Sequence, residues 1–247
     1  MRAMILAAGL GTRLKPLTDS TPKALVKIKD KTLLELQINK LKSEGFDQII
    51  INVHHFADKV KKYLEQNNFF DCSIDISDES EKLLDTGGGL KKASHFFSDG
   101  KPFLVYNVDI LSSVSLKKLV DLHINSNNIV TLAVQDRKSS RKFLFDDKLI
   151  LHGWQNEKTR EEIIARKPQI KLTAYSFSGI QIIDPKIFNY FPDKDVFSLV
   201  ELFLTAAKDE MIMGYEHNDD QWLDVGRIEN VSEAEIVLNN IRSIYQV

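Results

Sequence analysis

Residues 3–18 read AMILAAGLGTRLKPLT. Four apolar residues run straight into a loop that carries Gly9, Gly11, Arg13 and Lys15, and Pro22–Lys23 leads on to a second apolar run, Ala24–Leu25–Val26. The first run predicts a buried strand over residues 2–6. Glycines after a strand let backbone N–H groups approach a polyphosphate, and Arg13 and Lys23 add a planar and a mobile cation suited to it. A plain strand-to-helix turn with solvated basic residues shares the Gly-x-Gly pattern, so the glycines alone leave both readings open. Two phosphate motifs are excluded by inspection. The dinucleotide fingerprint needs a third glycine where Leu14 stands, and Gly-x-x-x-x-Gly-Lys-[Ser/Thr] occurs nowhere in the chain.

Outward from this loop the pattern alternates. Thr32–Leu33–Leu34–Glu35 is a capping box opening a helix with Leu34, Ile38 and Leu41 on one face and Gly45 as its stop. Residues 48–53 predict a buried strand, Phe56 to Leu64 a helix ending near residues 67–68, and Ser73–Ile76 a strand. A helix over 90–97 is expected after Gly87–Gly88–Gly89, then a strand over 103–106 and a helix over 116–124. Such alternation means a doubly wound, mostly parallel Rossmann-like α/β sheet with helices on both faces.

The second half reads as irregular and β-rich. It has a strand over 129–134, a hairpin around Asp146–Asp147–Lys148, a long strand over 173–183, an Asp184–Pro185 helix start, a helix over 198–207 and a long final helix over 228–244. No repeat or Gly/Ser/Pro-rich linker is present. The expectation is one domain over 1–247, with a nucleotide-binding half over about 1–110, a sugar-phosphate-binding half over about 111–247, and no C-terminal β-helix domain.

The 247 residues carry 33 Lys+Arg against 35 Asp+Glu, a balance that argues against nucleic acid as a partner. Cys72 is the only cysteine, so neither an intrachain disulfide nor a cysteine-based zinc cluster can form. No signal peptide and no apolar run near the ~20 residues of a membrane span is read, which points to a cytoplasmic protein with no membrane partner.

At this point the motifs carry a resemblance. Leu6–Thr18 with Pro22–Lys23 resembles the signature of the sugar-1-phosphate nucleotidylyltransferases. Thr86–Gly87–Gly88–Gly89, Asn107–Val108–Asp109 and Trp222–Leu223–Asp224–Val225–Gly226 agree in order. Within that family the triple glycine is most similar to N-acetylmuramate-1-phosphate uridylyltransferases and small mannose-1-phosphate guanylyltransferases. The fold implied is a glycosyltransferase-A-like sheet. The reaction implied joins a nucleoside triphosphate, UTP first and GTP second, to a sugar 1-phosphate. A cytidylyltransferase acting on an alcohol phosphate and a silent NDP-sugar-binding regulatory subunit are the alternatives. A homodimer is left open.

Asp109 follows a buried strand, and ligands in open α/β sheets bind at such ends. Asp109 and Asp224, each readable alone as a turn or cap aspartate, become by resemblance the two carboxylates that hold Mg²⁺. Arg13 and Lys23 become the catalytic cations. Ala8, Gly9, Gly11, Thr12, Arg13, Thr86, Gly87, Gly88 and Asn107 become the nucleotide contacts, and Lys23, Gly153, Asn156, Gly179 and Asp224 the sugar-phosphate contacts. The family often carries a Glu–Lys pair nearby, and Glu157–Lys158 is either that pair or a coincidence of sequence. Val108 departs from the family's usual glycine, and Asn107 removes any Asp-x-Asp pair. His54–His55 is not read as a metal pair, since adjacent side chains point apart.

Overall fold

Strand Arg2–Leu6 lies between two parallel neighbours, and this placement organises the first of two compact units. A computed structural model describes residues 1–245. Its first unit comprises 1–85, 103–114 and 220–247, and its second 86–102 and 115–219.

In the first unit the parallel order is Phe103–Asn107, Arg2–Leu6, Gln48–Val53, Ser73–Asp78. The chain moves outward twice in one direction and then returns to the other flank of strand Arg2–Leu6. Strand order therefore reverses between Leu6 and Asn107, which stand in register with each other. The crevice outside such a reversal is where doubly wound sheets bind ligands. Met4, Ile5, Ile49, Ile51, Val105 and Tyr106 are almost wholly buried, each apolar side chain contributing about 1.5–3 kcal/mol.

Helix Leu33–Ser43 starts where the capping box predicts: the Thr32 hydroxyl accepts from the Glu35 N–H at 3.1 Å. Leu34, Ile38 and Leu41 are fully buried, and Gly45 ends the helix at φ 86°. Helix Ala57–Gln66 follows strand Gln48–Val53 as expected. Two short strands, Ile110–Ser112 and Trp222–Asp224, pair antiparallel, an arrangement local pattern did not reveal.

The second unit is β-rich. Val130–Gln135 pairs antiparallel with Thr173–Ile183 and parallel with Ile212–Glu216, while Arg141–Phe145 pairs with both Thr173–Ile183 and Leu151–Asn156. The expected hairpin around Asp146 and the long strand are present. Strand Glu161–Ile164, paired to Leu151–Asn156, had no sequence signal because all four of its residues are exposed.

Two expected helices differ. The helix expected over 90–97 spans Asp85–Ala93, with the three glycines inside its first turns, and 94–97 is a separate 3-10 turn. The final helix is broken into a 3-10 turn at Ile228–Asn230, Val231–Asn240 and Arg242–Tyr245. The interruption follows Asn239–Asn240, both weak helix formers. Among the described residues no helix is long and apolar enough to cross a membrane.

Candidate functional site

The glycine loop leaves strand Arg2–Leu6 at the point of strand reversal. Gly11 adopts φ 66° and opens a 3-10 turn, Thr12–Leu14, closed by the Leu14 N–H on the Gly11 carbonyl at 2.8 Å. The Thr18 hydroxyl donates to the same carbonyl at 2.8 Å. A side chain at Gly11 would be strained by that φ and would meet Thr18 at 2.9 Å, so the fold itself requires this glycine. Gly9 is different: a Cβ there would meet only Lys23 Cδ, at an ordinary 3.9 Å. Its backbone is exposed, and packing does not demand glycine. Ala8 is buried, whereas Thr12 and Arg13 face outward.

Beyond the other strand of the reversal, Asp109 is 6% exposed. Strand pairing brings Asp224 to it: Asp224 stands opposite Ile110, and the Val225 N–H donates to the Asp109 carbonyl at 2.8 Å. The Gly226 N–H donates to Asp224 Oδ1 at 2.7 Å. The point where a Cβ on Gly226 would sit is 2.5 Å from Asp109 Oδ2, 2.7 Å from Asp224 Oδ1 and 3.1 Å from an Arg13 guanidinium nitrogen. The two carboxylates therefore converge over a residue that can only be glycine. Gly226 belonged to the quoted motif, but its spatial role was not legible there.

The Lys23 ammonium donates to Asp109 Oδ2, and Arg13 lies 3.7 Å from Asp224 Oδ2. Burial pushes the Asp109 carboxyl up, but the charge and hydrogen bond of Lys23 outweigh it and hold it below the ordinary value. Asp224 is held above, first by burial and then by the negative charge of Asp109, against the opposing Gly226 N–H and Lys23. Among the described residues no cluster of three or more His, Cys, Asp or Glu side chains is placed to hold a metal. Two converging carboxylates are nonetheless a hard-oxygen donor set that fits Mg²⁺, which keeps waters and takes phosphate oxygens for its other positions.

Asn107 ends its strand beside Leu6. Val108 turns a buried side chain into the core, its N–H bonds the Leu6 carbonyl at 3.1 Å, and its backbone is not left-handed. The turn thus has no need of the family's glycine. His54 Nδ1 lies 2.6 Å from the Glu79 carbonyl.

The remaining expected contacts belong to the second unit. The Gly87 and Gly88 N–H groups both donate to the Phe197 carbonyl, at 2.9 and 3.1 Å, and the Thr86 hydroxyl accepts from the Leu199 N–H at 3.0 Å. A Cβ on Gly87 would lie 2.5 Å from the Phe197 ring. Gly179 has φ 74° at a bulge in its strand, and Gly153 leaves room for the Ile163 carbonyl of the neighbouring strand. Asn156 accepts from the Lys158 N–H at 3.1 Å. Close by is a cavity of about 480 Å³ lined by Lys138, Ser139, Ser140, Lys142, Glu157 and Lys158, with Lys142 and Glu157 3.2 Å apart.

The pattern of the family described as nucleotidyl transferase matches residues 2–240. The chain is 30% identical over 95% of its length to a UTP–glucose-1-phosphate uridylyltransferase of Synechocystis, of which it spans 62%. It is 28% identical over 95% of its length to an N-acetylmuramate α-1-phosphate uridylyltransferase of Neisseria meningitidis, covering 97% of that protein. Among solved structures, a putative glucose-1-phosphate thymidylyltransferase of Bacillus anthracis superposes with a TM-score of 0.81 over 98% of this chain and 96% of that one, at 19% identity. That likeness establishes the same fold.

Proposed function

The chain belongs to the nucleotidyl transferase family, and from that premise we propose that it transfers a nucleoside monophosphate from a nucleoside triphosphate to a sugar 1-phosphate. The products are an NDP-sugar and pyrophosphate. One observation carries the reading: a glycine loop at the strand reversal whose two cations, Arg13 and Lys23, lean onto a converging carboxylate pair.

The attacking sugar-phosphate oxygen is already ionised at neutral pH and needs no general base. It adds to the α-phosphorus as the bond to pyrophosphate breaks. The protein's task is to align two mutually repelling anions and neutralise their charge. The N–H groups of Ala8, Gly9, Gly11 and Thr12 serve the triphosphate, where Gly9 has space for an approaching oxygen. Arg13, the more exposed cation, stabilises the departing phosphates, and Lys23 serves the α- or sugar phosphate. Asn107 lines the nucleotide side. Asp109 and Asp224 hold Mg²⁺, which when bound supplies charge neutralisation at the reacting phosphates.

In the second unit, Thr86, Gly87 and Gly88 serve as a wall for the base, since their hydroxyl and N–H groups already have partners. Gly153, Asn156 and Gly179 belong to the sugar side, and the lysine-lined cavity next to Asn156 suits an anionic group. UTP is the first choice of nucleotide and GTP the second.

The test is pyrophosphate release with Mg²⁺ across UTP, GTP, CTP, ATP and dTTP, each with a pool of sugar 1-phosphates and alcohol phosphates. Release with UTP or GTP and a sugar 1-phosphate is the expected result. Release only with CTP and an alcohol phosphate would replace the substrate class. Binding without release would replace the reaction by a regulatory role.

A further inference from the structure

We propose that Asn52 and Glu79 are positioning residues that fix the start of the glycine loop through a buried relay. Regular pairing of the first strand ends at Leu6, and the next N–H, that of Ala7, donates to the side chain of Asn52 at 2.7 Å. The Asn52 amide in turn donates from Nδ2 to Glu79 Oε1 at 2.7 Å. The second carboxylate oxygen, Oε2, accepts from the Leu84 N–H at 3.2 Å. Asn52 and Glu79 are 2% and 1% exposed. Glu79 is anchored by its own backbone as well, its N–H on the Val53 carbonyl at 2.7 Å and its carbonyl against His54 Nδ1.

The choice of a buried carboxylate has a chemical reason. An asparagine amide can turn over and exchange its oxygen for its NH₂ group, and only the neighbours decide which way it faces. In the structure both Glu79 carboxylate oxygens accept, Oε1 from Asn52 and Oε2 from the Leu84 N–H, so Asn52 turns its NH₂ toward Glu79. Its oxygen is then left for Ala7. A neutral amide at position 79 could present either face and would release that constraint. The main chain that carries Ala8, Gly9 and Gly11 leaves the sheet at this point. A turned amide would aim one donor at another and displace the loop backbone.

The inference rests on the loop's role in the proposed reaction, so its test has two arms. Amide hydrogen exchange over residues 7–11 is measured in wild type, Asn52→Ala and Glu79→Gln. Binding of UTP and of GTP, each with Mg²⁺, is measured by calorimetry on the same proteins. Leu119→Ala, a fully buried helix position of the second unit, serves as the control for general destabilisation. Exchange over 7–11 is expected to quicken about tenfold in both relay variants, with the bound nucleotide held about tenfold more weakly. The control lowers Tm and changes neither readout. Should Asn52→Ala fail to fold, the near-isosteric Glu79→Gln decides. Loop exchange and affinity both at wild-type values in Glu79→Gln would overturn the relay. A wild-type protein that binds neither nucleotide would overturn the proposed function instead, and the exchange arm would still decide the relay.

Discussion

Lys23 donates a hydrogen bond to Asp109, so the carboxylate proposed above as a metal ligand already holds a protein cation. Arg13 pairs more loosely with Asp224, its guanidinium 3.7 Å from Oδ2 and beyond hydrogen-bond reach. Without substrate the cluster neutralises itself, and under the proposed function a divalent cation would have to draw Asp109 away from Lys23. The Lys23 and Asp109 side chains are only 13% and 9% exposed, so water screens this pair little. Lys23→Met is therefore expected to tighten Mn²⁺ binding several-fold in the absence of nucleotide, read from the free-ion EPR signal. Turnover should fall about 10²–10³-fold through loss of phosphate stabilisation. Mn²⁺ affinity unchanged or weaker would remove Lys23 from this role.

The two aspartates should answer the same substitution with opposite changes in stability. Asp109→Asn strands the Lys23 ammonium and should cost about 1–3 kcal/mol. Asp224→Asn removes a carboxylate that burial and Asp109 both disfavour, and an asparagine Oδ1 can still accept from the Gly226 N–H. A gain of about 1 kcal/mol would read as roughly 2–4 °C in Tm for a chain of this size. The sign with pH follows. Asp224 is raised above 3.8 in the fold, so above that pH the native state binds more protons than the unfolded one. Its contribution to metal-free stability falls as pH rises through that window, and Asp224→Asn should abolish that fall. Both variants should lose turnover. Thermal melts from pH 4 to pH 8 without metal check all of this, and parallel melting curves for the two variants would contradict it.

Gly226→Ala places a methyl group 2.5 Å from Asp109 Oδ2 and 2.7 Å from Asp224 Oδ1. Its backbone is not in the left-handed region, so the effect acts through space alone. Pushing the carboxylates apart should cost about 10²-fold in kcat/KM, as a displacement near 1 Å can. Mn²⁺ affinity should fall with it. Activity within a few-fold of wild type would show that the convergence of the pair does not matter.

Gly87→Ala collides with the Phe197 ring, which is 2% exposed and cannot swing into solvent. Overpacking of this kind costs about 1–3 kcal/mol. Phe197→Leu should relieve part of that cost, so the double variant should be more stable than the sum of the single effects implies. Strict additivity in urea titrations would show that Gly87 is needed for some other reason, such as contact with a base.

Much of the first unit was legible because its signals are local. Thr32 and Glu35 declare a helix start by themselves, and the run Ile49–Ile50–Ile51 can be little other than a buried strand. The triple glycine misled the placement of its helix because the reason for Gly87 is the ring of Phe197, far along the chain. Strand Glu161–Ile164 carried no pattern, because none of its four residues is buried and there is no inner face to alternate with. Asn52 and Glu79 went unnoticed for a similar reason. Each looks like an ordinary polar residue until Ala7, Asn52, Glu79 and Leu84 are seen on one chain of hydrogen bonds.

The linear sequence by itself determined the alternation of strands and helices, the glycine loop and the family to which the chain belongs. These follow from hydrophobic period, capping chemistry and backbone freedom, all of which act over a few neighbouring residues. Tertiary structure alone decided that Asp224 meets Asp109, through the pairing of Trp222–Asp224 with Ile110–Ser112. It also decided that Lys23 and Arg13 neutralise that pair, and that Gly226 leaves them room. Charge and steric contact depend on distance in space, and only the folded chain brings such distant positions within a few ångströms of one another.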